Sequence, residues 1–440
     1  MDAQINLLYL HSTSMGYGRM GVNLARELER MGVTVYDRLE GAHEADNASF
    51  ATYVGDHLAG PKPGRSKVCV WVTVPPHARG WFADQIPCIY TMYETNSLPE
   101  GFVEAMHNFD TIIVPSPQNL EMFSQHHPNV HYVPLGVDPY RWRVRERIQP
   151  GAQFNFLLCG SGQRKGEDLA YQAFAKVFHN WPAGRFPIPH LILKGRGRAH
   201  YYGARIDNVT GTLSDEDEVA LYRTAHCYLG PTRGEGFGLQ PLQAIAQGCP
   251  TILTAAHGQE SYASLGIPLD SKLVPAGYFI YGESGEWWEP DFDQLCEAMW
   301  DVYTNWSEHE HRAALNGEVA GGEFTWDRSA LGLLNAIGRD RLGPYTGSGE
   351  WFTPPAKLYQ IVTNRDFAHE VANRFLTYRA GKIYYDTADV KRILFEASIL
   401  DPVCLDDGGL APEQIPNLER YRADHENCLF CGQSLAKVNA

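Results

Sequence analysis

The sequence predicts an α/β fold: two facing Rossmann-like domains followed by a small C-terminal α+β appendage. Three observations predict it. Short apolar runs alternate with helix-period segments over residues 5–135 and again over residues 154–254, the pattern of parallel sheets with helices on both faces. Between the two blocks, residues 138–152 lack clear periodicity and are punctuated by Pro139, Pro150 and Gly151, which marks a linker. In the second block an apolar strand over 226–230 runs directly into a glycine-rich turn, a short helix and another strand over 251–254.

The elements follow in order. Residues 5–10 form a short apolar run, read as a buried strand, and residues 12–18 a loop. A helix over 19–31 places Met20, Leu24, Leu28 and Met31 near one face. Strands are expected at 33–36, 68–74, 87–93, 111–115 and 130–135, with helices at 99–108 and 117–126. The second block opens with a strand at 154–159 and continues with a helix at 166–178, a strand at 190–194 and a helix at 214–224. After a less regular stretch over 255–282, helices are expected at 292–304, 308–321 and 325–338. Residues 343–349, rich in Gly, Pro and Ser, read as a second linker. The expected domains are therefore 1–140, 150–342 and an appendage over 350–440, with strands at 357–363 and 382–385 and a helix at 387–398. In such sheets ligands bind at the carboxyl ends of strands, so two facing domains place their crevices against one another.

Composition narrows the function classes. The 440 residues carry a net charge of −15, which favours solubility and argues against a nonspecific polyanion binder. No apolar run approaches the roughly 18 residues that span a bilayer, and the N-terminus has no basic, signal-like segment. Nine scattered cysteines then read as reduced thiols of a cytoplasmic protein.

The chemistry concentrates in residues 231–250, the run PTRGEGFGLQPLQAIAQGCP. A strand–glycine loop–helix unit turns backbone N–H groups toward the helix N-terminus, a geometry that favours phosphate or another anion. Glu235 lies at the mouth of this cradle, where it can accept hydrogen bonds from sugar hydroxyls or cap the helix. Arg164 and Lys165 precede the helix expected at 166–178. Cations are slightly unfavourable at a helix N-terminus, which favours a bound anion over a merely solvated pair.

The 231–250 run resembles the donor-sugar motif of the retaining family 4 glycosyltransferases, in which a Glu-Gly-Phe-Gly turn is followed eight positions after its Glu by a second Glu. Here Gln243 holds that second position. Met92-Tyr93-Glu94-Thr95 with Leu98-Pro99, then 110–116 and 134–138, resemble the N-terminal domain of the same enzymes. Arg164-Lys165-Gly166 with Ala173-Phe174 resembles their donor-domain entry, and 286–291 with Phe324-Thr325-Trp326 their C-terminal part. The likeness runs in order over about residues 5–340.

The resemblance implies a GT-B fold and a retaining transfer of a sugar, from a UDP- or GDP-sugar, to an acceptor hydroxyl, with no metal and no cofactor. It implies that Lys165 contacts the diphosphate. Arg164 stands in for an Arg that the family carries about five residues earlier, where this chain has Gly160 and Ser161. Glu235 contacts the sugar, the amides of Gly236, Phe237, Gly238 and Leu239 cradle the donor, and Gln243 meets the ribose. Gly16, Tyr17 and Gly18 approach the diphosphate and reacting sugar from the other domain. His77 and Glu94 are acceptor-side candidates, with a capping role equally open for Glu94.

Other features carry weaker expectations. Asp215/Asp217 and Asp291/Asp293 match an Asp-x-Asp string, but Asp215–Asp217 opens a helix, where acidic residues are expected; neither is assigned a metal. Cys428 and Cys431, with His425 and Cys404, could form a zinc site, though two free thiols are favoured because the second half lacks standard spacing. Basic stretches at 141–147 and 194–198 read as solvated linker or as nucleic-acid contacts, Trp142 lying among the arginines of the first. The segment 357–402 resembles small phage virion-associated domains, implying a phage-encoded member that acts in the host cytoplasm. Its acceptor would then be a virion protein or viral DNA. Alternatives are a DNA glycosyltransferase acting on a hydroxymethylated base and a sugar-nucleotide-binding protein without catalysis.

Overall fold

The computed structural model describes residues 3–9, 16–36, 66–78, 81–182, 184–195, 201–211, 213–276, 285–347, 349, 351–352, 377–379 and 382–384. Ser12–Met15, Arg196, Arg198, the elements expected at 357–363 and 387–398, and Cys404, His425, Cys428 and Cys431 lie outside the described residues.

Two six-stranded parallel sheets form the frame. The first contains β1 (Gln4–Tyr9), β2 (Thr34–Tyr36), β3 (Val68–Val72), β5 (Ile86–Tyr90), β6 (Thr111–Val114) and β7 (Val130–Tyr132), in the order β2-β1-β3-β5-β6-β7. The short strand β4 (Trp81–Phe82) lies outside it and pairs antiparallel with Trp351–Phe352. The second sheet contains β8 (Gln153–Cys159), β9 (Ile188–Lys194), β10 (Ile206–Val209), β11 (Cys227–Gly230), β12 (Thr251–Thr254) and β13 (Ile267–Leu269), in the order β10-β9-β8-β11-β12-β13. Every residue of β3, β6, β11 and β12 is buried. That is why these strands read as continuous apolar runs rather than alternating ones: helices cover both faces.

The helices are α1 (Gly16–Arg30), α2 (Glu100–Met106), α3 (Pro117–Ser124), α4 (Glu167–Phe178), α5 (Asp215–Thr224), α6 (Leu239–Ala246), α7 (Phe292–Thr304), α8 (Trp306–Glu323) and α9 (Trp326–Ile337). Ser116, Ser214 and Asp291 cap α3, α5 and α7 by accepting from Asn119 N (3.3 Å), Asp217 N (3.1 Å) and Gln294 N (2.9 Å). The chain crosses back at its end. Val137 bridges to Thr325, Ser329 Oγ donates to the Pro134 carbonyl at 2.7 Å, and one buried cluster joins Leu24 and Leu28 of α1 to Leu333 and Leu334 of α9.

Three expectations need correction. Gly16, Tyr17 and Gly18 are not loop but the first turn of α1, where orphan N–H groups relax the usual bias against glycine. The strand expected to run to Tyr93 ends at Tyr90, so Glu94 sits in a loop beyond it rather than at the strand end. The irregular stretch after β12 contains 3-10 turns at His257–Ser261 and Ala263–Leu265, β13, and β14 (Ser271–Pro275), which pairs antiparallel with β15 (Glu286–Pro290).

In each sheet the strand order reverses once, between β1 and β3 and between β8 and β11. Such switch points open a crevice at the strands' carboxyl ends. In the second sheet that crevice is bounded by the segment after Cys159 and the segment after Gly230.

Candidate active site

The two segments that leave β8 and β11 meet. The first makes a tight 3-10 turn, Gln163–Lys165, entered through Gly162 (φ 89°) and left through Gly166 (φ 70°). A Cβ on Gly166 would lie 2.0 Å from the Pro231 carbonyl oxygen, so only glycine lets the turn dock on the second segment. Glu167 accepts from Gly162 N at 2.8 Å and closes the entry.

This docking brings Lys165 and Arg164 to Glu235. Lys165 Nζ donates to Glu235 Oε1, and Arg164 Nη1 lies 3.6 Å from Glu235 Oε2. Arg164 Nη1 also donates to the Gly234 carbonyl at 2.6 Å and sits 3.7 Å from Glu94 Oε1 of the first domain. Two cations thus meet two carboxylates, Glu235 of their own domain and Glu94 from the first. Burial pushes the Glu235 carboxyl up, but the Lys165 and Arg164 charges outweigh it and hold the group below the usual carboxylate range. Burial also dominates at Lys165 and lowers its ammonium despite Glu235. Lys165 and Glu235 thus form a buried contact at the cleft, with Arg164 beside it.

The cleft is closed from the first domain by the loop after β5. A Cβ at Gly234 would lie 2.1 Å from the Glu94 carbonyl oxygen, so the two backbones touch there. Tyr17 reaches the same loop: its hydroxyl accepts from Met92 N at 3.2 Å and lies 3.3 Å from the Met92 carbonyl. Asn96 and Glu286 of β15 bond reciprocally, Glu286 N to Asn96 Oδ1 at 2.8 Å and Asn96 Nδ2 to Glu286 Oε2 at 3.1 Å. His77 ends a short turn, Pro75–His77, at the carboxyl edge of the first sheet; its side chain lies outside the described residues.

The glycine-rich turn is braced from below. Phe237 is buried against Tyr262 and Phe324, so its side chain is an anchor and its main chain is what the turn presents. Tyr262 Oη donates to the carbonyls of Phe237 and Gly238, and Gly258 N to that of Glu235 at 2.9 Å. Gly238 (φ 87°) caps α6, with Leu239 as its first residue, and no side chain caps the amides there. Gln243 is buried one turn further, and its Oε1 has no partner among the described residues.

Two residues of this site were not singled out from the sequence. His257 holds a left-handed backbone (φ 47°), with Nε2 3.1 Å from the Thr232 carbonyl and Nδ1 buried without a partner among the described residues. The carbonyl contact puts the proton on Nε2, and burial drives the imidazole pKa down to about 4. Arg233 is buried between Asp168 and Glu289. Neither had a sequence signal, because the partners are remote along the chain.

Several other features are engaged elsewhere. Asp215 pairs with Arg141, Asp217 accepts from Ser214 Oγ at 2.7 Å, and Asp293 pairs with Lys176 at 2.6 Å. In the first basic stretch Trp142 is buried edge-on against Tyr222, and Arg147 donates to the carbonyls of Tyr222, Ala225 and Gln247. That stretch offers no exposed aromatic for base stacking.

Known proteins resemble this chain in sequence and in fold. A family model described as "Family 4 Glycosyltransferase in conflict systems" matches residues 118–333. Mannosylfructose-phosphate synthase of Agrobacterium fabrum is 21% identical over 274 residues, 56% of each chain. A GDP-mannose-dependent alpha-(1-6)-phosphatidylinositol dimannoside mannosyltransferase of Mycobacterium tuberculosis is 27% identical over 52% of this chain and 58% of its own. A putative glycosyltransferase of a Sulfolobus islandicus filamentous virus is 30% identical over 28% of this chain and 32% of its own. The chain spans about half the length of the first two of these relatives. Among solved structures, sucrose-phosphate synthase of Thermosynechococcus elongatus superposes with a TM-score of 0.53 at 15% identity, covering 76% of this chain and 98% of that one. Trehalose-6-phosphate synthase OtsA gives a TM-score of 0.54 at 8% identity, covering 78% and 100%. At these identities the structures speak to the fold, which is that of the two-Rossmann GT-B transferases. With the family model over residues 118–333 and the two-Rossmann fold over about three quarters of its length, the chain is a relative of the family 4 glycosyltransferases in sequence and shares the GT-B fold.

Proposed function

We propose that the protein transfers a sugar from a UDP- or GDP-sugar to an acceptor hydroxyl, with retention at the anomeric carbon and without a metal. The observation that carries this reading is the meeting of Arg164, Lys165 and Glu235 at the switch point of the second sheet, beside the uncapped N-terminus of α6. The first domain contributes Tyr17 and Glu94 to the same cleft.

In this scheme the bond from the anomeric carbon to the diphosphate oxygen breaks, and a bond to the acceptor oxygen forms on the same face. The acceptor proton passes to the departing phosphate oxygen, so no protein base is needed. Negative charge grows on the diphosphate as the bond lengthens. Lys165, as a point charge, and Arg164, as a planar donor, stabilise it where it develops. Both already sit at the switch point before the donor arrives, and the exchange of Lys165 from Glu235 to the diphosphate belongs to binding rather than to the reaction step. Glu235, released from Lys165 by the stronger anion, is free to accept from the sugar hydroxyls. The amides of Gly236, Phe237, Gly238 and Leu239 line the cradle, and the unpartnered Gln243 Oε1 suits a ribose hydroxyl. Gly16 and Gly18 let the start of α1 approach the diphosphate, and His77 and Glu94 serve the acceptor. The viral relative supports a virus-encoded enzyme, which this reading takes to be phage-encoded and at work in the host cytoplasm, with a glycan, protein or modified base as acceptor. Burial of Trp142 weighs against the DNA-directed alternative.

The test is incubation of purified protein with UDP- and GDP-hexoses in the presence of EDTA. Release of nucleoside diphosphate from one donor supports the reading. Release that requires Mg²⁺ or Mn²⁺ removes the metal-independent part, and no release with any donor removes the enzymatic part.

A further inference from the structure

Arg233 sits inside the glycine-rich turn yet points away from the two cations of the cleft. Its guanidinium has five N–H donors, and all are used. Nε donates to Glu289 Oε2. Nη1 donates to Asp168 Oδ1 at 2.8 Å and to the Gln163 carbonyl, and Nη2 to Asp168 Oδ2 at 2.8 Å and Glu289 Oε1 at 3.1 Å. Its main chain adds two bonds: Arg233 N donates to the Arg164 carbonyl and Trp288 N to the Arg233 carbonyl, both at 2.8 Å.

These bonds join four segments: the Gln163–Lys165 turn, the first turn of α4, the glycine-rich turn and β15. The Gln163–Lys165 turn is only three residues long and is flanked by two left-handed glycines, so its own hydrogen bonds hold it weakly. Its register against Glu235 is set by the side chain and main chain of Arg233. The same strand that supplies Glu289 supplies Glu286, which binds Asn96 two residues from Glu94. Arg233 thus connects the leaving-group cations to the loop of the opposite domain.

We propose that Arg233 is a positioning residue for group transfer. Through the Gln163 carbonyl and the Arg164 carbonyl it fixes Arg164 and Lys165 where they meet the diphosphate, and through Glu289 it ties that register to domain closure. The inference rests on the donor-site reading above. Lysine cannot replace it, because three donors on a flexible stem cannot grip two carboxylates and a carbonyl at once.

A double-mutant cycle tests it. The variants Arg233→Lys, Lys165→Ala and the pair are compared with wild type for affinity to UDP and GDP. Saturation-transfer NMR reads affinities into the millimolar range, and circular dichroism follows the fold. If Arg233 acts through the turn, Arg233→Lys weakens binding about 10-fold or more, the loss expected when a hydrogen bond to a charged group is misplaced. In the Lys165→Ala background, where only Arg164 is left to misplace, the same change costs a clearly smaller factor, about 3-fold or less. A residue that only stabilised the fold would cost the same factor in both backgrounds, and that result overturns the proposal. Should Arg233→Lys fail to fold, Glu289→Gln keeps the Asp168 pair and runs the same cycle, with about 3-fold expected in place of 10-fold. If wild type binds neither nucleotide, the donor-site reading falls and this inference falls with it. Binding by wild type with additive losses overturns this inference alone.

Discussion

The two sheets have the same number of strands and the same parallel sense, yet their carboxyl edges differ. The edge of the second sheet carries a buried ionic centre: Lys165, Arg164 and Glu235, backed by Arg233 with Asp168 and Glu289. The edge of the first sheet presents the start of α1, the Pro75–His77 turn and the loop with Glu94, where Tyr17 makes neutral contacts to Met92. Among the described residues, ionic contacts concentrate on the second half's edge, and the first half packs its loop with Glu94 against them. The contrast teaches that duplicated architecture does not duplicate chemistry. Chemistry follows the loops at the switch point: among the described residues the second sheet's switch point gathers Lys165, Arg164 and Glu235, while the start of α1 contributes Arg19, which pairs with Glu218 of the second domain.

The largest expected break of this asymmetry is Glu235→Ala. Loss of the carboxylate removes the sugar contact and leaves Lys165 without its buried partner; transfer at saturating donor should fall about 10²-fold or more. Near-wild-type turnover in steady-state kinetics would remove Glu235 from the site. The matching change in the first domain should be milder. Glu94→Gln removes an anion that competes for Arg164, so donor affinity should hold or rise a few-fold while kcat falls roughly 10-fold. Equal loss of both would make Glu94 part of the donor site instead.

Acid sensitivity sharpens the comparison further. Burial lowers His257 to about 4, and burial with the Arg147 charge lowers His226 to about 4. Both belong to the second half. The unfolded chain takes up protons near pH 6.5 while the folded one does not, so stability falls as pH drops from about 6.5 toward about 4. Each histidine can cost about 3 kcal/mol over that window. Calorimetry of His226→Gln should show a flatter profile than wild type; an unchanged slope would contradict the buried, neutral assignment. The smallest effect belongs to Gln243→Glu. It should change donor KM by no more than a few-fold, in the direction of tighter binding, and leave kcat alone.

Much of the frame was legible because parallel strands buried on both faces write continuous apolar runs, as in Val68–Val72 and Cys227–Gly230. The edge strand β10 was not, because Asp207 and Asn208 interrupt it where packing is one-sided. The strand expected to reach Tyr93 shows the opposite error. Its apolar run continues, but the ladder to β6 ends at Tyr90 with Ile113, and hydrogen-bond partners rather than hydropathy end a strand. In the site, Lys165, Arg164 and Glu235 were visible through their motif, and the structure brings them together. Arg233 was invisible, although it lies inside that motif, because its carboxylates stand 65 residues before it and 56 after it. His257 was invisible because nothing in a histidine announces a left-handed backbone.

In the proposed chemistry Lys165 acts on the departing diphosphate, while Gln243 touches only the unchanging ribose. Steady-state kinetics of Lys165→Ala and Gln243→Ala against varied sugar nucleotide tests it most directly. Lys165→Ala should lower kcat about 10²-fold together with donor affinity, because its partner charge grows toward the transition state. Gln243→Ala should raise donor KM and leave kcat nearly unchanged. A Lys165→Ala enzyme with wild-type kcat, or a kcat collapse confined to Gln243→Ala, would contradict this chemistry.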